Sequence, residues 1–153
     1  RTSFKLVPPP VQVTTFTLAH TLTLGLATLG WVNISPSIVE PIIAGSIAVV
    51  ALENIFRPHY TSWRLLLVFV FGLVHGLGFA GALKALELPT ASLLIGLLGF
   101  NVGVEGGQLA VIALALGVTF WVTNPVLYRK AIVIPGSLII AAMGLKWMAA
   151  RLS

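Results

Sequence analysis

His20, His75, Glu53 and Glu105 are the residues of this sequence whose types could do chemistry. Each falls within a long apolar run, where an ionisable group is costly unless paired, protonated or bound to an ion. Two imidazoles and two carboxylates form a donor set suited to a divalent transition metal of the nickel, zinc, iron or cobalt kind. There is no Cys, which removes the thiolates that select copper(I), and two Met alone make a poor site for it. Asn54, Asn101 and Gln108 carry amides able to orient such ligands, and Thr17 and Thr21 flank His20 with hydroxyls.

Spacing brings several of these together. Asn101, Glu105 and Gln108 fall at i, i+4 and i+7, one stripe of a helix. Gly99, Gly103 and Gly107 make a second stripe on nearly the opposite face, and Gly72, Gly76 and Ala80 make a similar one around His75. Small residues repeated in this way let backbones approach closely. The two stripes predict that their helices are close neighbours, with His75 and Glu105 facing each other in one polar site. The competing readings are plain ones. Each His would bond only a neighbouring helix, Glu53 would face Arg57 one turn on, Glu40 would be interfacial, and His59 would sit in a solvated loop.

The elements that must position these groups follow from composition. The chain is 58% hydrophobic and 8% charged over 153 residues, against roughly 25% charged in soluble domains. It reads as an all-α, polytopic membrane bundle forming a single domain. The net charge of +5 comes from Lys and Arg placed mainly at segment ends, as topology anchors and not as a nucleic-acid footprint. Five runs approach the length of about 20 residues that a span needs, at about 11–31, 36–56, 63–84, 91–122 and 131–150. The fourth exceeds one span, so a tilt, a kink at Gly106-Gly107 or an extension beyond the bilayer is expected. Arg1, Lys5, Arg57, Arg64, Arg129 and Lys130 fall on one side and Lys84, Lys146 and Arg151 on the other. That bias predicts a cytoplasmic amino-terminal end.

The motifs Phe16-Thr17-Leu18-Ala19-His20-Thr21-Leu22-Thr23, Val39-Glu40, Glu53-Asn54, Phe71-Gly72-Leu73-Val74-His75-Gly76-Leu77-Gly78-Phe79-Ala80 and Phe100-Asn101-Val102-Gly103-Val104-Glu105-Gly106-Gly107-Gln108 resemble, in order, those of the HupE/UreJ family of hydrogenase/urease accessory membrane proteins. The resemblance covers roughly residues 14 to 110. It implies an inner-membrane permease supplying nickel or cobalt to metalloenzymes, with His20, His75 and Glu105 handling the metal and Asn101 and Gln108 beside them. Thr21 stands where the family more often has Ser. The family usually has an earlier helix with a His, Gly and Asp-His motif, commonly after an extracytoplasmic domain. This sequence holds no Asp, so it is expected to lack that helix or to be the membrane part of a longer protein.

The resulting expectation is a non-enzymatic protein that binds and moves a divalent metal, nickel before cobalt, zinc or iron. Glu53 would line the cytoplasmic exit, and Glu105 would trade a proton for the ion. Its partners would be the bilayer, the metal and a membrane complex or a second copy, with no nucleic acid. The rival classes are a non-transporting subunit of a larger membrane complex and, last, an intramembrane metal-dependent hydrolase using Glu105 as base.

Overall fold

A computed structural model describes residues 8–57 and 62–153, so Arg1, Lys5 and His59 lie outside the described residues. Helices are the regular structure of the described residues, with no strand among them. The helices are α1 (Pro9–Thr28), α2 (Pro36–Phe56), α3 (Ser62–Lys84), α4 (Thr90–Thr119), a short α5 (Pro125–Tyr128) and α6 (Ile134–Leu152).

Local chemistry sets the boundaries. Proline stands at the start of α1, α2 and α5, where its missing N–H costs nothing. α1 ends in a Schellman motif: Gly30 takes φ 80, its N–H donates to Ala27 O at 3.2 Å, and Trp31 N–H donates to Leu26 O at 2.9 Å. The final helical run begins earlier than the expected 131. The Asn124 carboxamide accepts from the N–H groups of Val126 and Leu127 and caps a helix opening at Pro125. A π-helical turn over Arg129–Val133 joins α5 to α6, just ahead of Pro135, which has no N–H to continue the regular ladder. α4 runs unbroken through Gly106-Gly107 for 30 residues.

Four runs are long and apolar enough to cross a membrane: Pro36–Phe56, Ser62–Lys84, Thr90–Thr119 and Pro125–Leu152. By length and composition the chain is a multi-pass membrane protein. The expected first span, α1, forms as a helix but does not join these four. The reason lies in its side chains: Gln12, His20 and a series of threonines lower its hydropathy. Several of those hydroxyls are satisfied inside the helix, as in Thr15 to Val11 O at 2.7 Å and Thr28 to Leu24 O at 2.6 Å.

Two close helix pairs build the bundle, α1 with α3 and α2 with α6, and α2 also packs on α3. A Cβ on Gly144 of α6 would stand 2.9 Å from Ala44 O and 3.2 Å from Ala48 Cβ of α2. α4 packs on α1. The core at that contact is Leu24, Ala27, Ala80 and Leu83, with Leu77, Leu97 and Phe100 packed against it. The expected close approach of the α3 and α4 glycine stripes does not occur. Gly72 and Gly76 lie against α1, while a Cβ added to Gly99, Gly103 or Gly107 would meet nothing within 4 Å. α3 and α4 meet through larger side chains, as in Phe79 and Phe100 with ring centroids 5.7 Å apart.

Candidate functional site

His20 is fully buried, held by α1 at the point where α3 and α4 both cover that helix. Phe16, one turn earlier, stacks on it at 5.9 Å, and Phe100 of α4 stacks at 6.0 Å with ring planes 6° apart. Phe79 of α3 presents an edge at 5.6 Å. The imidazole is thus boxed by aromatic rings, with one polar neighbour.

That neighbour, Asn101, fixes the proton on the ring. Its Nδ2 donates to Leu97 O at 2.8 Å, which sets the amide orientation and leaves Oδ1 as an acceptor. Oδ1 lies 3.2 Å from His20 Nδ1 and accepts from Thr21 Oγ1 at 2.7 Å. His20 must therefore donate from Nδ1, and in the neutral ring Nε2 carries a bare lone pair. This Nε2 is buried and has no hydrogen-bond partner.

His75 repeats the pattern on α3. Its Nδ1 lies 2.7 Å from Phe71 O, an atom that can only accept. The proton is again on Nδ1, and Nε2 is the free position. The ring is half-buried and meets the Phe16 ring edge-on at 5.3 Å. Phe16 therefore touches both imidazoles. His75 also lines a largely apolar groove of about 290 Å³, with Phe16, Ser46, Val50, Asn54, Phe71 and others.

The other predicted residues lie apart from this pair. Glu105 is half-buried on α4, where Oε1 accepts from Thr14 of α1 at 3.5 Å. No hydrogen bond or ion pair among the described residues joins it directly to His75. α4 turns its Asn101 face to α1, and α3 buries its Gly72-Gly76 face on the same helix. Glu53 pairs with Arg64 at 3.1 Å, not with Arg57 as the plain reading had it. Asn54 Oδ1 accepts from the same guanidinium at 2.7 Å. Gln108 lies beside Val13, Gly103 and Gly107, and its buried Oε1 has no partner. Thr17 is buried, and its Oγ1 also lacks a partner. Glu40 forms an exposed pair with Arg151 at 2.9 Å. Among the described residues no three His, Asp or Glu side chains gather closely enough to hold one ion.

Sequence reasoning passed over the three phenylalanines and Arg64. The signals were present as spacing: Phe16 precedes His20 by one turn, Phe79 follows His75 by one turn, and Phe100 adjoins Asn101.

A family model described as HupE / UreJ protein matches residues 4–151. The chain belongs to the HupE/UreJ family. No curated protein and no solved structure gives a match. The match to the HupE/UreJ family spans all the helices that surround His20, namely α1, α3 and α4.

Proposed function

We propose that this HupE/UreJ protein binds a divalent transition metal, nickel first, and moves it across the inner membrane by way of His20 and His75. One observation carries the reading. Both imidazoles give their Nδ1 proton to an oxygen acceptor, which leaves Nε2 bare. Metal-ligating histidines are held in the same way, with the second nitrogen donating to a carbonyl or carboxylate. Asn101, Thr21 and Phe71 O are the groups that hold the two rings.

The donor set also bears on mechanism. A closed cage of three or four strong ligands retains its ion, whereas conduction needs sites weak enough to release it. Two imidazoles that both touch the Phe16 ring suit a hand-over from one nitrogen to the next. Glu105, apart from them on α4, would serve as a separate proton-exchanging group. The amino-terminal end is proposed to be cytoplasmic, since Arg64 and Arg129 gather at the carboxyl end of α2. The protein performs no chemistry on the metal and is not proposed as an enzyme.

The test is nickel uptake into proteoliposomes that contain the purified chain and a trapped metal indicator. His20→Gln and His75→Gln should each reduce uptake by at least about tenfold, since losing one of few ligands removes most of the affinity. Uptake unchanged in both variants would sink the proposal. The second reading, a non-transporting subunit of a membrane complex, draws on the open glycine face of α4. A stoichiometric partner after purification, with no bound metal, would favour it.

A further inference from the structure

Arg64, Val68, Phe71 and His75 fall at i, i+4, i+7 and i+11 of α3, on one face. Across from them Ser46, Val50 and Asn54 fall at i, i+4 and i+8 of α2. The groove of about 290 Å³ lies between these faces, with His75 deep along α3 and Asn54 close to the end of α2. Asn54, which lines the groove at this end, accepts from the Arg64 guanidinium just beyond the lining residues.

Arg64 is 8% exposed. Its Nε donates to Gln12 Oε1 of α1 at 3.1 Å, and Nη1 donates to Glu53 Oε2 at 3.1 Å and Asn54 Oδ1 at 2.7 Å. Three side-chain oxygens from two helices thus surround a cationic group carried by a third. Gln12, Glu53 and Asn54 supply one carboxylate and two carbonyl-type oxygens, a set that also accepts a divalent cation. A fixed positive charge at the mouth of a channel excludes other cations for as long as it stays there. The end of α2 is held independently, because the Arg129 guanidinium donates to the carbonyls of Asn54 and Ile55. The stretch that carries Glu53 and Asn54 therefore has a tie that does not depend on Arg64.

We propose that Arg64 is a tethered cation plugging this end of the groove, and that a divalent metal passes between the aqueous phase and His75 by displacing the guanidinium from Gln12, Glu53 and Asn54. This rests on the metal-transport reading above and adds its gate. The exchange replaces one cation by another, so the Glu53 carboxylate is never left uncompensated in a poorly hydrated site.

The chain has no Cys, so Val50→Cys places a single thiol in the groove. In proteoliposomes this protein is treated with a water-soluble, positively charged methanethiosulfonate, while nickel movement is followed with a trapped indicator. With Arg64 intact, labelling should be slow. Arg64→Gln should speed it about tenfold by admitting water and reagent to the thiol, and nickel should equilibrate faster. Glu53→Gln, which keeps the side-chain shape and removes the charge partner, should act in the same direction to a smaller extent. Labelling unchanged in both folded variants overturns the plug, as does failure of both variants to fold, which would make Arg64 a structural clamp. Nickel movement that His75→Gln stops but neither Arg64→Gln nor Glu53→Gln alters keeps the metal reading and ends the gate. Faster labelling with no nickel movement in any protein supports the plug and removes the metal reading.

Discussion

Gly72 and Gly76 of α3 and Gly99, Gly103 and Gly107 of α4 carry the same small-residue signature, and the structure uses the two stripes in opposite ways. A Cβ on Gly72 would stand 2.6 Å from Phe16 O, and one on Gly76 would strike Thr23 Oγ1 and His20 O. A Cβ on Gly99, Gly103 or Gly107 of α4 would meet nothing within 4 Å. A stripe of glycines permits two backbones to approach, but it supplies little attraction of its own. What draws α3 onto α1 is visible in the side chains. Thr23 Oγ1 donates to Leu73 O at 2.6 Å, and α1 carries polar groups that are better covered by protein than by lipid. α4 meets α1 through Asn101, on the side away from its glycines.

The comparison can be broken most sharply at Gly76. Gly76→Leu would drive a side chain into the α1 backbone at His20, where neither helix can give. Little monodisperse protein is expected in a detergent size-exclusion profile, and a normal yield would show that the α1–α3 contact is loose.

Asn101→Leu comes next. It leaves the His20 Nδ1 proton without its acceptor, while the Thr21 hydroxyl keeps Thr17 O at 2.6 Å, at a cost of about 1–3 kcal/mol. A clear fall in thermal midpoint is expected, together with reduced nickel uptake. Asn101→Asp, which keeps the acceptor, should retain more of both than Asn101→Leu does.

Leu97→Ala trims a side chain packed on the Leu24, Ala27, Ala80 and Leu83 core. Because Leu97 is only half-buried, the loss should be about 1–2 kcal/mol, below the usual range for fully buried leucines.

Gly103→Leu should move the thermal midpoint least, by an amount equivalent to under about 0.5 kcal/mol, as for substitutions away from packed features. This ordering reverses what the sequence pattern implies, in which Gly103 matters more than Leu97. A large loss at Gly103 would mean that a second chain packs on this face of α4.

Much of the molecule was legible in its residues. Apolar runs of spanning length give α2 and α3 nearly to the residue and α4 within three residues, because a span is fixed by composition and local propensity. Pro36 marks the start of α2 because proline is tolerated there and almost nowhere later in a helix. The start of the last helix was missed because Asn124-Pro125 reads equally well as a turn. Its role as a cap depends on the Asn124 side chain folding back onto Val126 and Leu127.

The sequence by itself determined the family and an all-helical chain rich enough in apolar residues for a membrane, and it put forward the two imidazoles as candidates. It did not determine which faces meet. Helical periodicity assigns a residue to a face but is silent on the neighbour. Only the tertiary structure decided that α3 packs on α1, that Asn101 and not Glu105 reaches His20, and that Arg64 and not Arg57 holds Glu53. Each of those outcomes depends on contacts between residues far apart in the chain, made where a buried donor finds an acceptor and two backbones can come close.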